Sequence, residues 1–302
     1  MFDLLSGARY IYLIPIEILL VTGLVARAKS WSILLDRGLP LRKVFDVVNA
    51  GYLLNTVMPF RLGEIGRAHI ISSDQKIGIA KVLGSIVIER LLDVGISFAA
   101  LLISLPMIII PEWAQNLYWA VGISIIAILT SSIFLLRKKE TVLNLVERFS
   151  QIGLGRLSVI TEDFISGLET LLQPSRLFRA GFWSLLAWIC VWIQIWLFLK
   201  IVGAPANLAM VLFVPGVVAF GSAIPPSPGA LGVFEITAVA GLLVFGFERE
   251  IALSIAILWH GSQLLTVAVL GGWGLSREGH SLLGLASKAQ SLLRNRSARD
   301  SV

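Results

Sequence analysis

Charge is scarce in this chain: only 15% of its 302 residues are Asp, Glu, Lys or Arg. A soluble domain carries about a quarter, so a water-exposed fold of this size would lack polar surface. There is one cysteine, Cys190, inside an apolar block, which excludes a disulfide framework or a cysteine metal site within one chain. No Gly-rich phosphate loop of the ATPase type, no His-Glu-x-x-His and no Gly-x-Ser-x-Gly occurs, so ATP-driven pumping and familiar hydrolase chemistry lack support. No cofactor and no metal is expected.

What the chain has instead is apolar sequence, 56% of residues, in blocks long enough to cross roughly 30 Å of hydrocarbon as helices of about 20 residues. The clearest blocks are 10–26, 82–104, 117–136, 179–199 and 251–273, with shorter ones at 44–59, 208–224 and 231–246. Blocks of this kind fit helices, not the alternating ten-residue strands of a membrane barrel. The first block has no basic n-region and no small-x-small cleavage site, and it contains Pro15 and Glu17; it reads as a retained span. The expected class is an all-α polytopic protein integral to a bacterial or archaeal plasma membrane. The net charge of +6 lies between blocks, which suits anionic membrane lipids as neighbours and not nucleic acid.

Basic residues set a topology. Five lie in 27–43 (Arg27, Lys29, Arg37, Arg42, Lys43), seven in 137–179, and Arg277, Lys288, Arg294, Arg296 and Arg299 in the tail, whereas 105–116 has none and 200–207 only Lys200. The first three segments are expected in the cytoplasm and the last two outside. Residues 44–81 then start and end inside, turning at 58–63, and 208–246 start and end outside, turning at 224–229. Each is a hairpin of two spans or a re-entrant one.

The two turns resemble each other. The first holds Asn55, Pro59, Arg61, Gly63 and Glu64; the second holds Pro225, Pro226, Pro228, Gly229, Gly232 and Glu235, with Pro59 and Pro226 separated by 167 residues. This is the pattern of an inverted repeat: a single integral membrane domain over 1–302, with halves at 10–136 and 179–273, a linker at 137–178 and a basic tail at 274–302. Pro/Gly-broken segments paired in two inverted halves point to a transport site near the midplane. Ordinary surface loops with a chance likeness are the alternative.

Asn55, Pro59, Arg61, Gly63, Glu64 and Arg67, followed by Glu89, Arg90 and Asp93 and then by Pro228, Gly229, Gly232 and Glu235, resemble the flippase-like membrane region of lysylphosphatidylglycerol synthases and its stand-alone relatives. Lys29, Ser30 and Trp31 with Leu34, Leu35 and Gly38 are similar to a segment preceding that motif. The resemblance covers roughly 25–275 and implies a lipid-handling membrane protein. Two departures are expected: no aminoacyl-transferring soluble domain follows, so synthase activity is not carried over, and a first span found in many relatives is missing.

Ionised side chains at membrane depth need a partner or a wet cavity, since each costs at least about 2.5–3.5 kcal/mol on insertion scales. Arg61, Glu64 and Arg67 have two readings: an Arg pair holding a phospholipid phosphate, with Glu64 fixing Arg geometry or meeting a head-group amine, or a self-neutralised cluster. Arg90 either clamps Asp93, three residues on, or reaches the cavity and joins Arg61 in binding phosphate; Glu89 and Asp93, four apart, share one helix face. Glu235 is a proton-coupling or amine-binding group, or the partner of Arg61 or Arg90 from the other half. Glu17 is a similar carboxylate nearer a helix end. His260 and Gln263 read as packing or hydrogen-bonding residues, Trp188, Trp192 and Trp196 as a lipid-facing or packing stripe, and 157–172 as an amphipathic cytoplasmic helix.

Three functions remain: a translocase or lipid-binding transporter moving a phospholipid or lipid-linked head group, with a partner enzyme supplying the lipid; an integral membrane enzyme or subunit using Glu64 or Glu235 as general base; and a subunit that only anchors a partner. The first is the expectation, since it alone uses the midplane charges and needs no large outer loop.

Overall fold

The computed structural model describes residues 9–108 other than Pro59, scattered positions between 122 and 140, and 155–279 other than 223–226, with 281 and 284. Pro59, Pro225 and Pro226, most of the expected 117–136 span and almost all of the tail beyond 279 lie outside the described residues. Among the described residues the regular elements are helical: α1 (Leu13–Leu35), α2 (Leu41–Val57), α3 (Leu62–Gln75), α4 (Ile79–Ser104), α5 (Gly155–Leu168), α6 (Pro174–Ile201), α7 (Leu208–Gly221), α8 (Val233–Leu243) and α9 (Arg249–Arg277).

Length sorts them into two kinds. α1, α4, α6 and α9 have 23, 26, 28 and 29 residues, each at least about 34 Å at 1.5 Å per residue. α1 with its preceding turn, α6 and α9 are long and apolar enough to cross a membrane; α4 is as long but carries Lys81, Glu89, Arg90 and Asp93. α2, α3, α7 and α8 have 17, 14, 14 and 11 residues, fewer than the roughly 20 needed for one crossing. Exposed Ile14, Ile18, Val21 and Val25 on α1 and Phe178, Phe182, Leu185, Ile189 and Ile193 on α6 present apolar faces that suit hydrocarbon. The protein is integral to a membrane.

The first apolar block ends at Ala26 in the sequence, yet α1 runs on to Leu35 because Ala28, Ser30, Trp31, Leu34 and Leu35 are all buried. Arg27 and Lys29 are therefore helix residues, not loop residues as their charge suggests. The real break comes at Asp36, in left-handed backbone, and at Pro40, which precedes α2. Asn207 caps α7 by accepting from Met210 N at 2.9 Å, and Pro174 opens α6, where its missing N–H costs nothing.

The packing pairs are orderly. α1 lies along α6, α2 against α9, and α7 against α4; α2 packs with α3 and α7 with α8. α5, the expected amphipathic helix, docks on α4, where Gly84 meets Gly167. Ion pairs gather helix ends: Lys43 at the start of α2 with Asp74 in α3 (2.6 Å), and Asp36 after α1 with Arg176 in α6 (2.7 Å). The two hairpin turns meet. Arg61 Nη2 donates to Ser222 O at 2.7 Å, and Gly229 lies against Thr56. Two apolar clusters fill the ends, one around Trp31, Val47, Leu54 and Ile88, the other around Ile16, Phe198, Val214 and Trp259.

Close approach of α2 and α9 depends on Gly271, where an added Cβ would sit 2.6 Å from Asn49 O. Gly271→Ala is expected to destabilise by about 1–3 kcal/mol, seen as a lower Tm in detergent. Gly272, with nothing within 4 Å, is the control; equal Tm for Gly271→Ala and Gly272→Ala would contradict this packing.

Candidate functional site

Between the two apolar clusters lies a cavity of about 470 Å³. Every long helix contributes from near its middle: Leu20 to Arg27 on α1, Arg90 to Ser97 on α4, Ala187 to Gln194 on α6 and Trp259 to Val267 on α9. The hairpins supply Asn55, Arg61 and Glu64 on one side and Ser222, Gly229, Ala230 and Phe234 on the other.

The charges form a continuous network. Arg67 and Glu89, with side chains each 2% exposed, pair at 2.8 Å, and the Arg67 guanidinium lies 4.6 Å over the Trp31 ring. The Trp31 indole in turn donates to Ser85 Oγ at 3.1 Å. Arg67 Nε and Nη1 find no hydrogen-bond partner among the described residues, so the aromatic face and the carboxylate carry this cation. Next along α4, Arg90 reaches Glu89 Oε1 (3.0 Å), Glu64 Oε1 (3.3 Å) and Asp93 Oδ2 (3.2 Å). Asp93 also accepts from Arg27 Nη1 through both oxygens, at 2.8 and 2.7 Å, and from Trp188 Nε1 at 3.1 Å.

The second half is nearly neutral. His260 Nδ1 donates to Glu235 Oε1 at 2.7 Å, and Glu235 Oε2 accepts from Gly232 N at 2.7 Å. His260 stacks on Phe234 with centroids 4.2 Å apart. Glu17, on α1, accepts from Ser262 and Thr266 of α9 at 2.5 and 2.6 Å. Among the described residues no group of three or more His, Cys, Asp or Glu is placed to hold a metal ion.

Of the five residues expected at a head group, Arg61, Glu64 and Arg90 line the cavity and Arg67 and Glu235 do not. Arg67 is turned away from Glu64, although they are three apart on α3, and is buried behind the wall with Glu89. Glu235 is not the partner of Arg61 or Arg90; the His260 ring and its own helix N-terminus hold it. Arg90 fits both of its readings at once, clamping Asp93 while it lines the cavity. Asn55 accepts from Gly63 N at 2.8 Å, and Gly63 lets α3 lie against Gly51 of α2, whose carbonyl an added Cβ would strike. Gly229 and Gly232 adopt positive φ, 65° and 83°, and Pro228 opens the short turn of residues 228–230. The tryptophan stripe divides: Trp188 faces the cavity, while Trp192 and Trp196 line an apolar groove with Leu208 and Val211.

Arg27 is the residue the sequence reading misplaced. The signal was there: Trp31 follows one turn later, and aliphatic sequence continues to Leu35, so a helix through Arg27 was legible. Gln194 carried no signal beyond being a lone amide in an apolar block.

Glu89→Gln leaves Arg67 as a buried cation with no carboxylate. It is expected to cost about 3–5 kcal/mol, whereas replacing both Arg67 and Glu89 by apolar residues costs far less. Glu64→Gln, at a half-buried wall, should cost under about 1 kcal/mol. Thermal unfolding in one detergent decides; equal loss for Glu89→Gln and Glu64→Gln would contradict the assignment of these pairs.

Comparison with known proteins adds the family. The profile described as the lysylphosphatidylglycerol synthase TM region matches residues 1–271. No curated protein and no solved structure matches the chain.

Proposed function

Because the chain belongs to the lysylphosphatidylglycerol synthase transmembrane-region family, its role lies with membrane lipid, and we propose that it binds a phosphate-bearing lipid head group in the cavity and passes it between leaflets. The observation that supports this most is a charge imbalance. Four arginines (Arg27, Arg61, Arg67, Arg90) stand against three carboxylates (Glu64, Glu89, Asp93). Arg61 has no carboxylate within ion-pair distance among the described residues and donates only to the Ser222 carbonyl. An anion brought beside Arg61 and Arg90 balances the cluster with charge-assisted, fork-shaped hydrogen bonds. The first turns of α3 and α8 also open on the cavity, and helix N-termini favour anions. Glu64 keeps Arg90 oriented, and Arg67 and Glu235 support the wall from behind. At about 470 Å³ the cavity suits a head group, with acyl chains left in hydrocarbon.

The reading includes an inverted repeat, each half a long helix, a broken hairpin and a long helix. Its support is the pairing of contacts: exchanging the halves turns α2 on α9 into α7 on α4 and leaves α1 on α6 unchanged. Matching elements start at similar offsets, Leu41 and Leu208, Leu62 and Val233, Ile79 and Arg249. The hairpins are then re-entrant from opposite faces, their tips touching through Arg61 and Ser222. Arg37, Arg42, Lys43, Lys76, Arg176 and Arg277 lie at or beside helix ends joined by the ion pairs of Lys43 and Asp36; by the positive-inside rule that face, with the C-terminal tail, is cytoplasmic. The enzyme alternative loses ground because both candidate bases, Glu64 and Glu235, are engaged by Arg90 and His260.

Purified protein in phosphatidylcholine vesicles should exchange labelled anionic phospholipid between leaflets. Arg61→Ala should slow this about tenfold or more, the worth of one charged hydrogen bond, and Arg61→Lys should slow it less. Exchange at the wild-type rate in Arg61→Ala would remove Arg61 from the path.

A further inference from the structure

The cavity lining also holds uncharged polar groups that no described residue engages. Gln194 on α6 is 1% exposed and lines the cavity, yet no hydrogen bond engages its amide among the described residues. Trp259 on α9 lines it too, its Nε1 buried and without a partner among the described residues. Gln263, one turn along α9, also lines it. A buried donor or acceptor left unpaired costs about 1–3 kcal/mol, so polar groups that line a cavity together with cationic side chains are complementary to a ligand that brings its own hydroxyls.

Carboxylates tell the other half. Asp93 is held by Arg27, Arg90 and Trp188, Glu89 by Arg67 and Arg90, and Glu64 by Arg90. Glu235 is held by His260 and Gly232, and Glu17 by Ser262 and Thr266. Among the described residues no carboxylate at the cavity is left over for an ammonium group, and the surplus there is cationic. An aminoacyl ester or an ethanolamine head group would bring its positive charge into that surplus.

We infer that the head group taken here is an anionic phosphate bearing hydroxyls, a polyol or a sugar, and carrying no ammonium. This rests on the lipid-binding reading above and narrows it: Arg61, beside Arg90, takes the phosphate, while Gln194 and Gln263 take the hydroxyls.

Two readouts separate this inference from translocation. The first is leaflet exchange, in phosphatidylcholine vesicles, of labelled phosphatidylglycerol, phosphatidylinositol, phosphatidic acid, phosphatidylethanolamine and lysylphosphatidylglycerol. The second is quenching of cavity tryptophan fluorescence by short-chain versions of the same lipids in detergent. Phosphatidylglycerol and phosphatidylinositol should exceed both amine-bearing lipids by about tenfold in binding, and Gln194→Leu should shrink the advantage of phosphatidylglycerol over phosphatidic acid. Gln263→Leu tests the same wall should Gln194→Leu fail to fold. That ranking in binding without exchange would uphold the selectivity and remove the translocase. Exchange with phosphatidylethanolamine or lysylphosphatidylglycerol equal to phosphatidylglycerol would uphold the translocase and overturn the selectivity. Equal binding of all five lipids would overturn the inference whatever the exchange rates.

Discussion

Ionised side chains in the middle of apolar helices are tolerable only if each has an opposite charge, an aromatic face or water, and this requirement organises the rest of the molecule. Arg27, Arg67, Glu89, Arg90 and Asp93 come from three helices, α1, α3 and α4, and each would cost several kcal/mol alone in hydrocarbon. Together they form one network in which every carboxylate meets at least one guanidinium. Trp31 and Trp188 close it by covering Arg67 and by donating to Asp93. Helices that share such a network are held in one register, since sliding any of them would strand a buried charge. The cavity is what remains on the side where the network has an arginine to spare.

Breaks between helices beside the cavity create a second problem, because the backbone groups at the helix ends need hydrogen-bond partners. Side chains solve it here. Asn55 accepts from Gly63 N, Glu235 accepts from Gly232 N, and Arg61 donates to Ser222 O. The same residues thus close the backbone and shape the site. Arg61 itself sits in left-handed backbone, φ 53°, a conformation that persists in a non-glycine residue only where its surroundings enforce it. Its side chain ties this turn to Ser222, after α7.

Helical class and membrane location were legible in the sequence, because apolar block length is a local property. Residue types at the site were legible too, since charge inside an apolar block advertises itself. Partners were not. Arg67 and Glu64 share a helix face by spacing, yet one is buried on Glu89 and the other meets Arg90, because pairing depends on which neighbour α4 presents at that height. A partnership of Glu235 with Arg61 or Arg90 is one of the two roles its sequence allows, and Glu235 is held by His260 of α9 instead. Arg27 carries the charge of a loop residue, yet the aliphatic run that continues to Leu35 keeps it in the helix.

Composition and periodicity by themselves determined that this chain lives in a bilayer as helices, with two broken segments and a small set of charges that cannot be idle. Tertiary structure alone decided which charges cancel, which uncharged groups line the cavity, and that Arg61 has no carboxylate within ion-pair distance among the described residues. The physical reason is range: burial in hydrocarbon is dictated by each segment's own side chains, whereas an ion pair forms only when helices distant in sequence bring two groups within about 4 Å.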